Sequence, residues 1–260
     1  MSVRIPFPTV SPERIAHGRA VSHERIDPES HGVFECTLTT VTPLCLKSHF
    51  AHVRLELPGN PPRAYLPGSS IRGAVRAMTE ALGGGCARYF EPPPRPPNAV
   101  RTCDENGICP CCRIFGFTTD HDTFAWASKV HFEDSEVVPV DWRKYRVPPF
   151  GGDQAAAGQG GGWLTFRYLT APAHGAPSED CVDTGAVFPF RVRHHNLTPA
   201  ELALFYHALT LGGLHHILGF GKRCGLGACK IEVKKPPNPV PNPMPYLCTQ
   251  AWAAIQQERA

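Results

Sequence analysis

The chain has 260 residues, 42% of them hydrophobic, and a formal net charge of +3 at pH 7. That length and apolar content support a sizeable core, while so small a charge excludes anion binding by the field of the whole molecule and leaves it to local patches. No apolar run is long enough to span a bilayer, and the opening MSVRIPFPTV lacks the apolar centre of a secretion signal, so a cytoplasmic protein without a membrane partner is expected.

Residues 1–32 are polar and weakly periodic and read as an irregular arm. From Val33 the pattern changes: Phe34, Cys36 and Leu38 alternate with Glu35, Thr37 and Thr39, predicting a strand that breaks at Pro43. Residues 51–57 alternate again through Val53, Leu55 and Leu57 and predict a second, short strand. Pro67 and Gly68 then end any strand, and Ser69 or Ser70 is placed to cap a helix. In that helix Ile71, Ala74, Val75, Met78 and Leu82 form one apolar stripe, and Arg72 and Arg76 lie one turn apart on another face. Gly83, Gly84 and Gly85 stop it. Two uses fit: a core helix with two solvated arginines, or a phosphate cradle made of the first amides, a close approach at Gly73 and both cations.

Residues 86–122 have no period and read as an insertion. Its cysteines suggest a metal, because a reducing compartment disfavours disulfides among the chain's eleven. Cys109 and Cys112 have the spacing at which one turn aims two thiolates at a tetrahedral ion, and Cys103 and Cys86 can complete the set, with Cys111 or His121 as substitutes for the fourth ligand. A segment so rich in proline and charge has little core of its own for burying cysteines. A structural zinc is therefore expected, four protein ligands leaving no open position for water.

Phe124, Trp126, Val130 and Phe132 alternate within 124–138 and predict a strand with Asp134 near its end. Residues 139–183 contain GGDQAAAGQGGG, flexible by composition, and form a second insertion. A strand is predicted over 186–192, and a helix over 196–211 with Thr198 as cap, Pro199 in the first turn and Glu201 completing a capping box. In GFGKRCGLG, starting at Gly219, glycines that let a sugar-phosphate chain approach flank Lys222 and Arg223; the alternative is a plain flexible connection. No Gly-Lys-Ser/Thr ends this loop, so it is not a P-loop. A last strand covers 228–233. The order strand, helix, strand, strand, helix, strand predicts a single α+β domain with a ferredoxin-like (RRM-like) palm carrying both insertions between its elements.

Six stretches carry a resemblance: TVTPLCLKS from Thr40, YLPGSSIRGAVRAMTEAL from Tyr65, CPCCRIFGF from Cys109, SKVHFEDSEVV from Ser128, NLTPAELALFYHAL from Asn196 and GFGKRCGLG from Gly219. In this order they resemble the successive signatures of the RAMP superfamily of CRISPR-associated proteins, closest to backbone subunits of type III and type III-like effector complexes with a zinc-binding insertion. The resemblance implies a palm that polymerises along a CRISPR RNA and holds its backbone without reading its sequence. It points to Ser69, Ser70, Arg72 and Arg76 at the first helix and to Gly221, Lys222, Arg223 and Gly225 in the glycine loop as guide contacts. Residues 139–183 resemble a thumb that folds over the guide. The implied partners are the CRISPR RNA, a complementary target RNA, further copies of the chain, other subunits and a separate nuclease.

Target-cleaving relatives carry an aspartate between the first strand and the first helix. Residues 47–64 contain none; Glu56 is their only acid, and His49 and His52 are the other candidates for acid-base work. A subunit that binds without cutting is therefore expected. The alternative is a RAMP endoribonuclease, cutting target or precursor RNA, with His194, His195, His215 and His216 as its candidates.

Overall fold

Alternation builds the centre of the molecule. The computed structural model describes residues 2–6, 31–46, 56–57, 61–83, 103, 108–118, 125–146, 163–167, 178–222 and 225–239. Strand β1 (Gly32–Thr40) buries Phe34, Cys36, Leu38 and Thr40 and turns Val33 and Glu35 outward. There follow α1 (Gly68–Gly83), α2 (Pro110–Phe115), β2 (Val130–Phe132), β3 (Val187–His194), α3 (Pro199–Thr210), β4 (His215–Ile217) and β5 (Ala228–Val233). The five strands form one sheet in the order β4-β5-β1-β3-β2, each antiparallel to its neighbours.

The α1 stripe is buried as its spacing requires: Ile71, Val75, Met78 and Leu82 join Leu204, Phe205, Ala208 and Leu209 of α3 and the inward side chains of β1 and β3 in one core. Each fully buried Phe or Leu there contributes roughly 1.5–3 kcal/mol. Helix α3 starts at the predicted capping box, Thr198 Oγ1 accepting from the Glu201 amide and the Glu201 carboxylate from the Thr198 amide. Pro189 is tolerated inside β3 because β2 covers only Val192–His194. The Pro189 carbonyl points to that uncovered edge, where it accepts the Glu136 amide, so the missing N–H removes no bond to β1.

Several elements depart from the sequence pattern. The strand expected over 124–138 is three pieces, Ala125–Trp126, Val130–Phe132 and Val138–Pro139, because side chains replace the ladder between them. Ser128 Oγ bonds the amide and carbonyl of Val130, and Ser135 Oγ takes the Leu66 amide. Of the strand expected over 51–57, Glu56–Leu57 is described and pairs with Arg63–Ala64. The arm expected to be irregular contains the strand Ser2–Pro6, whose partner Trp163–Arg167 lies far along the chain. Within residues 139–183, expected to form a second insertion, Trp142–Arg146 pairs antiparallel with Ser178–Val182, while the GGDQAAAGQGGG run lies outside the described residues. No helix among the described residues is long and apolar enough to cross a membrane.

Strand β4 was not legible as a strand. Leu211 in the left-handed region and two positive-φ glycines, Gly212 and Gly213, turn the chain back from α3 so that His216 enters the core. Its Nε2 donates to the Leu209 carbonyl at 2.9 Å, and burial lowers its pKa to about 4. The unfolded chain takes up a proton near pH 6.5 that the folded one refuses, so stability contributed by neutral His216 is present above that pH and is lost as pH falls towards 4. Wild type should therefore lose stability over that window, by up to about 3 kcal/mol. A His216→Gln variant, read by urea unfolding at several pH values, should flatten that part of the profile; an unchanged profile would show that other groups set it.

Candidate functional site

The cysteine segment is built by α2. Cys109 is its N-cap in extended conformation, Pro110 occupies the first helical position, and Cys109 Sγ accepts the Cys112 amide at 3.4 Å. Cys103 Sγ accepts the Cys109 amide at 3.1 Å. The Sγ atoms of Cys103, Cys109 and Cys112 all lie within 4.8 Å of one another, and all three residues are buried. Amides aimed at sulfur stabilise the thiolate form, and Arg76 Nη2 stands 3.9 Å from Cys112 Sγ. This donor set could hold a thiophilic metal. Cys111 is not in the group; its Sγ stands 3.8 Å from the Arg76 carbonyl oxygen. Cys86 and His121 lie outside the described residues.

One expectation is overturned. The cysteines do not lack a core, because Ile108, Ile114 and Phe115 carry this segment into the main one, where Phe115, Phe132 and Phe205 lie 5.9–6.3 Å apart centre to centre. The α1 arginines make that docking possible. Arg72 Nη2 donates to the Phe115 carbonyl and its guanidinium lies 5.6 Å from the centre of the Phe115 ring. Arg76 Nη1 donates to the Gly116 carbonyl at 3.1 Å, and its Nε pairs with Glu80 at 3.0 Å. Both guanidiniums are half-buried against α2 and are not simply solvated. Burial, then Arg76, lowers the Arg72 pKa. For Arg76 burial works in the same direction but is outweighed by Cys111, Glu80 and Cys112, which raise it.

The start of α1 also differs from a cradle of free amides. The helix begins at Gly68, whose amide donates to Asp134 Oδ1 at 2.7 Å, so the cap comes from the chain after β2 and leaves Ser69 and Ser70 exposed in the first turn. The close-approach glycine is Gly68, where a Cβ would collide with the Phe132 carbonyl oxygen; at Gly73 it would meet nothing within 4 Å.

The described residues of the glycine loop form a hydrogen-bonded turn. Gly219 and Gly227 both have positive φ, and a Cβ would collide with the Cys45 carbonyl oxygen at the first and the Leu218 carbonyl oxygen at the second. Bonds from the Leu218 amide to Gly227 O at 2.8 Å and from the Leu226 amide to Gly221 O at 3.3 Å close the loop. Gly221 and Gly225 share the positive-φ backbone. Lys222 is exposed at the tip, and partial desolvation lowers its pKa. Arg223 lies outside the described residues. The register sets this turn at the Thr40 end of β1 on the β5 side, while α1 starts beside β2, three strand spacings or roughly 14 Å across the sheet. The two candidate patches are therefore separate.

The four candidate histidines fall in two pairs that are separate as well. His194 is opposite Gly32 with its ring centre 5.1 Å from that of Phe34, whereas His215 pairs with Lys230, which is opposite Thr39. Seven residue steps along β1 separate Gly32 from Thr39, roughly 23 Å. Glu56 lies on the strand Glu56–Leu57, and His49 and His52 are outside the described residues. Sequence reasoning missed one cluster altogether. Beyond capping α3, the fully buried Glu201 pairs through Oε1 with Arg113 Nε and through Oε2 with Lys129 Nζ, both at 2.8 Å. Those partners come from α2 and from the residue before β2, so one carboxylate joins three elements.

Residues 37–230 match the RAMP superfamily. No curated protein matches the chain. Among solved structures the chain is similar to Csc2 of Thermofilum pendens, with 15% identity and a TM-score of 0.42, covering 78% of this chain and 65% of that one. It thus spans just under two thirds of that relative's length. It is also similar to a chain of a Type IV-B CRISPR complex, with 16% identity and a TM-score of 0.48, covering 82% of this chain and 96% of that one.

Proposed function

The chain belongs to the RAMP superfamily, and from that membership we propose that it is a CRISPR RNA-binding backbone subunit of a multi-subunit, RNA-guided effector complex of the type III-like kind. It holds the guide for pairing with target RNA and does not cut the target, in keeping with the lack of an aspartate in residues 47–64. The observation that carries this reading is the closed glycine turn between β4 and β5 with Lys222 at its tip. A guide held whatever its sequence must be gripped by its phosphates, and a turn held tight by its positive-φ glycines presents an exposed cation as a point charge without a base reader. The exposed Ser69 and Ser70 supply hydroxyl donors at a second patch. Arg72 and Arg76 border that patch while holding α2.

The strand order β5-β1-β3-β2 with α1 and α3 supports reading this unit as a ferredoxin-like palm, with β4 added at its edge. The cysteine segment then enters between the first helix and the second strand, and the pair Trp142–Arg146 with Ser178–Val182 forms the base of a thumb-like insertion. Zinc is the metal we assign to Cys103, Cys109 and Cys112, with Cys86 or His121 as the candidates for the fourth ligand. It would supply structure and no chemistry, fixing α2 against the α1 arginines. The partners of this reading are the guide, a target RNA, further copies of the chain, other subunits and a separate nuclease.

Lys222→Ala tests the grip. Its affinity for single-stranded RNA should fall by a similar factor for unrelated sequences, and the slope of log affinity against log salt should lessen by about 0.7, the value for one phosphate contact. A loss confined to particular sequences would mean that the turn reads bases, and an unchanged affinity and slope would remove Lys222 from the interface.

A further inference from the structure

Past the break at Pro43 the chain pairs with the return strand of the second insertion. Leu44 and Val182 exchange both backbone hydrogen bonds, each 2.8 Å. One step along an antiparallel pair from such a position is a non-hydrogen-bonded site, where facing Cα atoms are only about 4.5 Å apart. Cys45 and Cys181 occupy it. Alternation sends Leu44 and Val182 into the main core, while the two thiols share a small apolar cluster with Leu226 beside Tyr145 and Phe220. A disulfide needs Cα atoms roughly 4.4–6.8 Å apart with converging side chains, and this pair meets that condition without backbone movement. The buried Cys36 and Cys229 of the sheet do not: Cys36 is opposite Phe190 and Val233, and Cys229 is opposite Thr40 and His216.

We propose that Cys45 and Cys181 are a redox pair that closes reversibly into a cross-strand disulfide when a small organic disulfide, such as oxidised glutathione, is present. One cysteine thiolate attacks a glutathione sulfur, forming a mixed disulfide and expelling one glutathione thiolate. The second thiolate then attacks the protein-side sulfur and expels the other. Two protein thiols are oxidised, one glutathione disulfide is reduced to two thiols, and the two cysteine protons end on the departing glutathiones. Both thiols are shielded from solvent, and the Cys45 hydrogen bond followed by burial raises the Cys181 pKa. Oxidation therefore waits for the Leu44–Val182 pairing to open, and the neighbouring thiol resolves the mixed disulfide when it recloses.

The bond has a structural reach. The Cys45 carbonyl accepts the Phe220 amide at 2.9 Å and stands where a Gly219 Cβ would be, so closing the pair ties the second insertion to the glycine turn through one residue. The disulfide stands on strand register alone and does not depend on the RNA-binding reading.

The test is to incubate the folded, zinc-loaded protein with oxidised glutathione, alkylate the remaining thiols under denaturing conditions, digest with trypsin and map the linked peptides. Fragment sequencing must separate Cys45 from Cys36, which share a tryptic peptide. A Cys45–Cys181 link that disappears on reduction, with zinc content unchanged, is the expected result. Cys181→Ser should replace the link by a glutathione adduct on Cys45. If that variant fails to fold, the wild-type map still decides. Recovery of both cysteines as alkylated thiols, or a link from Cys181 to any other cysteine, overturns the proposal.

Discussion

Replacing Cys109 and Cys112 together by serine is expected to reduce bound zinc from about one ion per chain to under a tenth, and to release the α2 segment from the core. Two of three convergent thiolates disappear, and Cys103 with a single further ligand cannot close a tetrahedral site around the ion. Ile108, Ile114 and Phe115, all at most 2% exposed, then lose the anchor that keeps them inside. At roughly 1.5–3 kcal/mol for each side chain, their release outweighs any single surface contact of the segment. Cys111→Ser is the internal control, since Cys111 Sγ stands outside the convergent group. Metal analysis of the purified variants checks both: zinc retained in the double variant, or lost in Cys111→Ser, contradicts the ligand assignment.

Glu201→Ala is expected to destabilise the fold by about 3–5 kcal/mol, because it leaves Arg113 and Lys129 buried without their carboxylate. Loss of the capping box adds about 1 kcal/mol. In a chain of this size the unfolding midpoint should fall by roughly 10 °C or more. Glu201→Gln separates the two effects, since the amide keeps the shape and can still accept from the Thr198 amide while carrying no charge. If the ion pairs dominate, Gln is nearly as damaging as Ala in thermal unfolding; a near-wild-type Gln variant would reduce Glu201 to a cap.

Local pattern made β1, α1, α3 and β5 legible, since alternation, the apolar stripe and the capping box are each written within a few residues. What escaped was non-local. Glu201 announced its cap through Thr198, three residues away, but nothing near it announced Arg113 or Lys129. Arg72 and Arg76 read as solvated or phosphate-binding because their acceptors, the carbonyls of Phe115 and Gly116, are backbone groups of a segment with no period. Asp134 displaced Ser69 and Ser70 as the cap of α1 for a similar reason: the end of β2 and Glu133 after it pass so close that a Gly68 side chain would collide with the Phe132 carbonyl oxygen. Within the cysteine segment the spacing of Cys109 and Cys112 was informative, and Cys103 followed; burial of all three in the main core was not legible, because it depends on Phe115 meeting Phe132 and Phe205.

The most direct test of the central claim is to purify the protein co-expressed with a CRISPR array, extract the bound RNA, and offer the complex a labelled complementary target with a divalent metal. The expected result is RNA of discrete guide length with the target bound and intact. Absence of bound RNA, or a target cut at regular intervals, would contradict a guide-holding subunit that does not cleave.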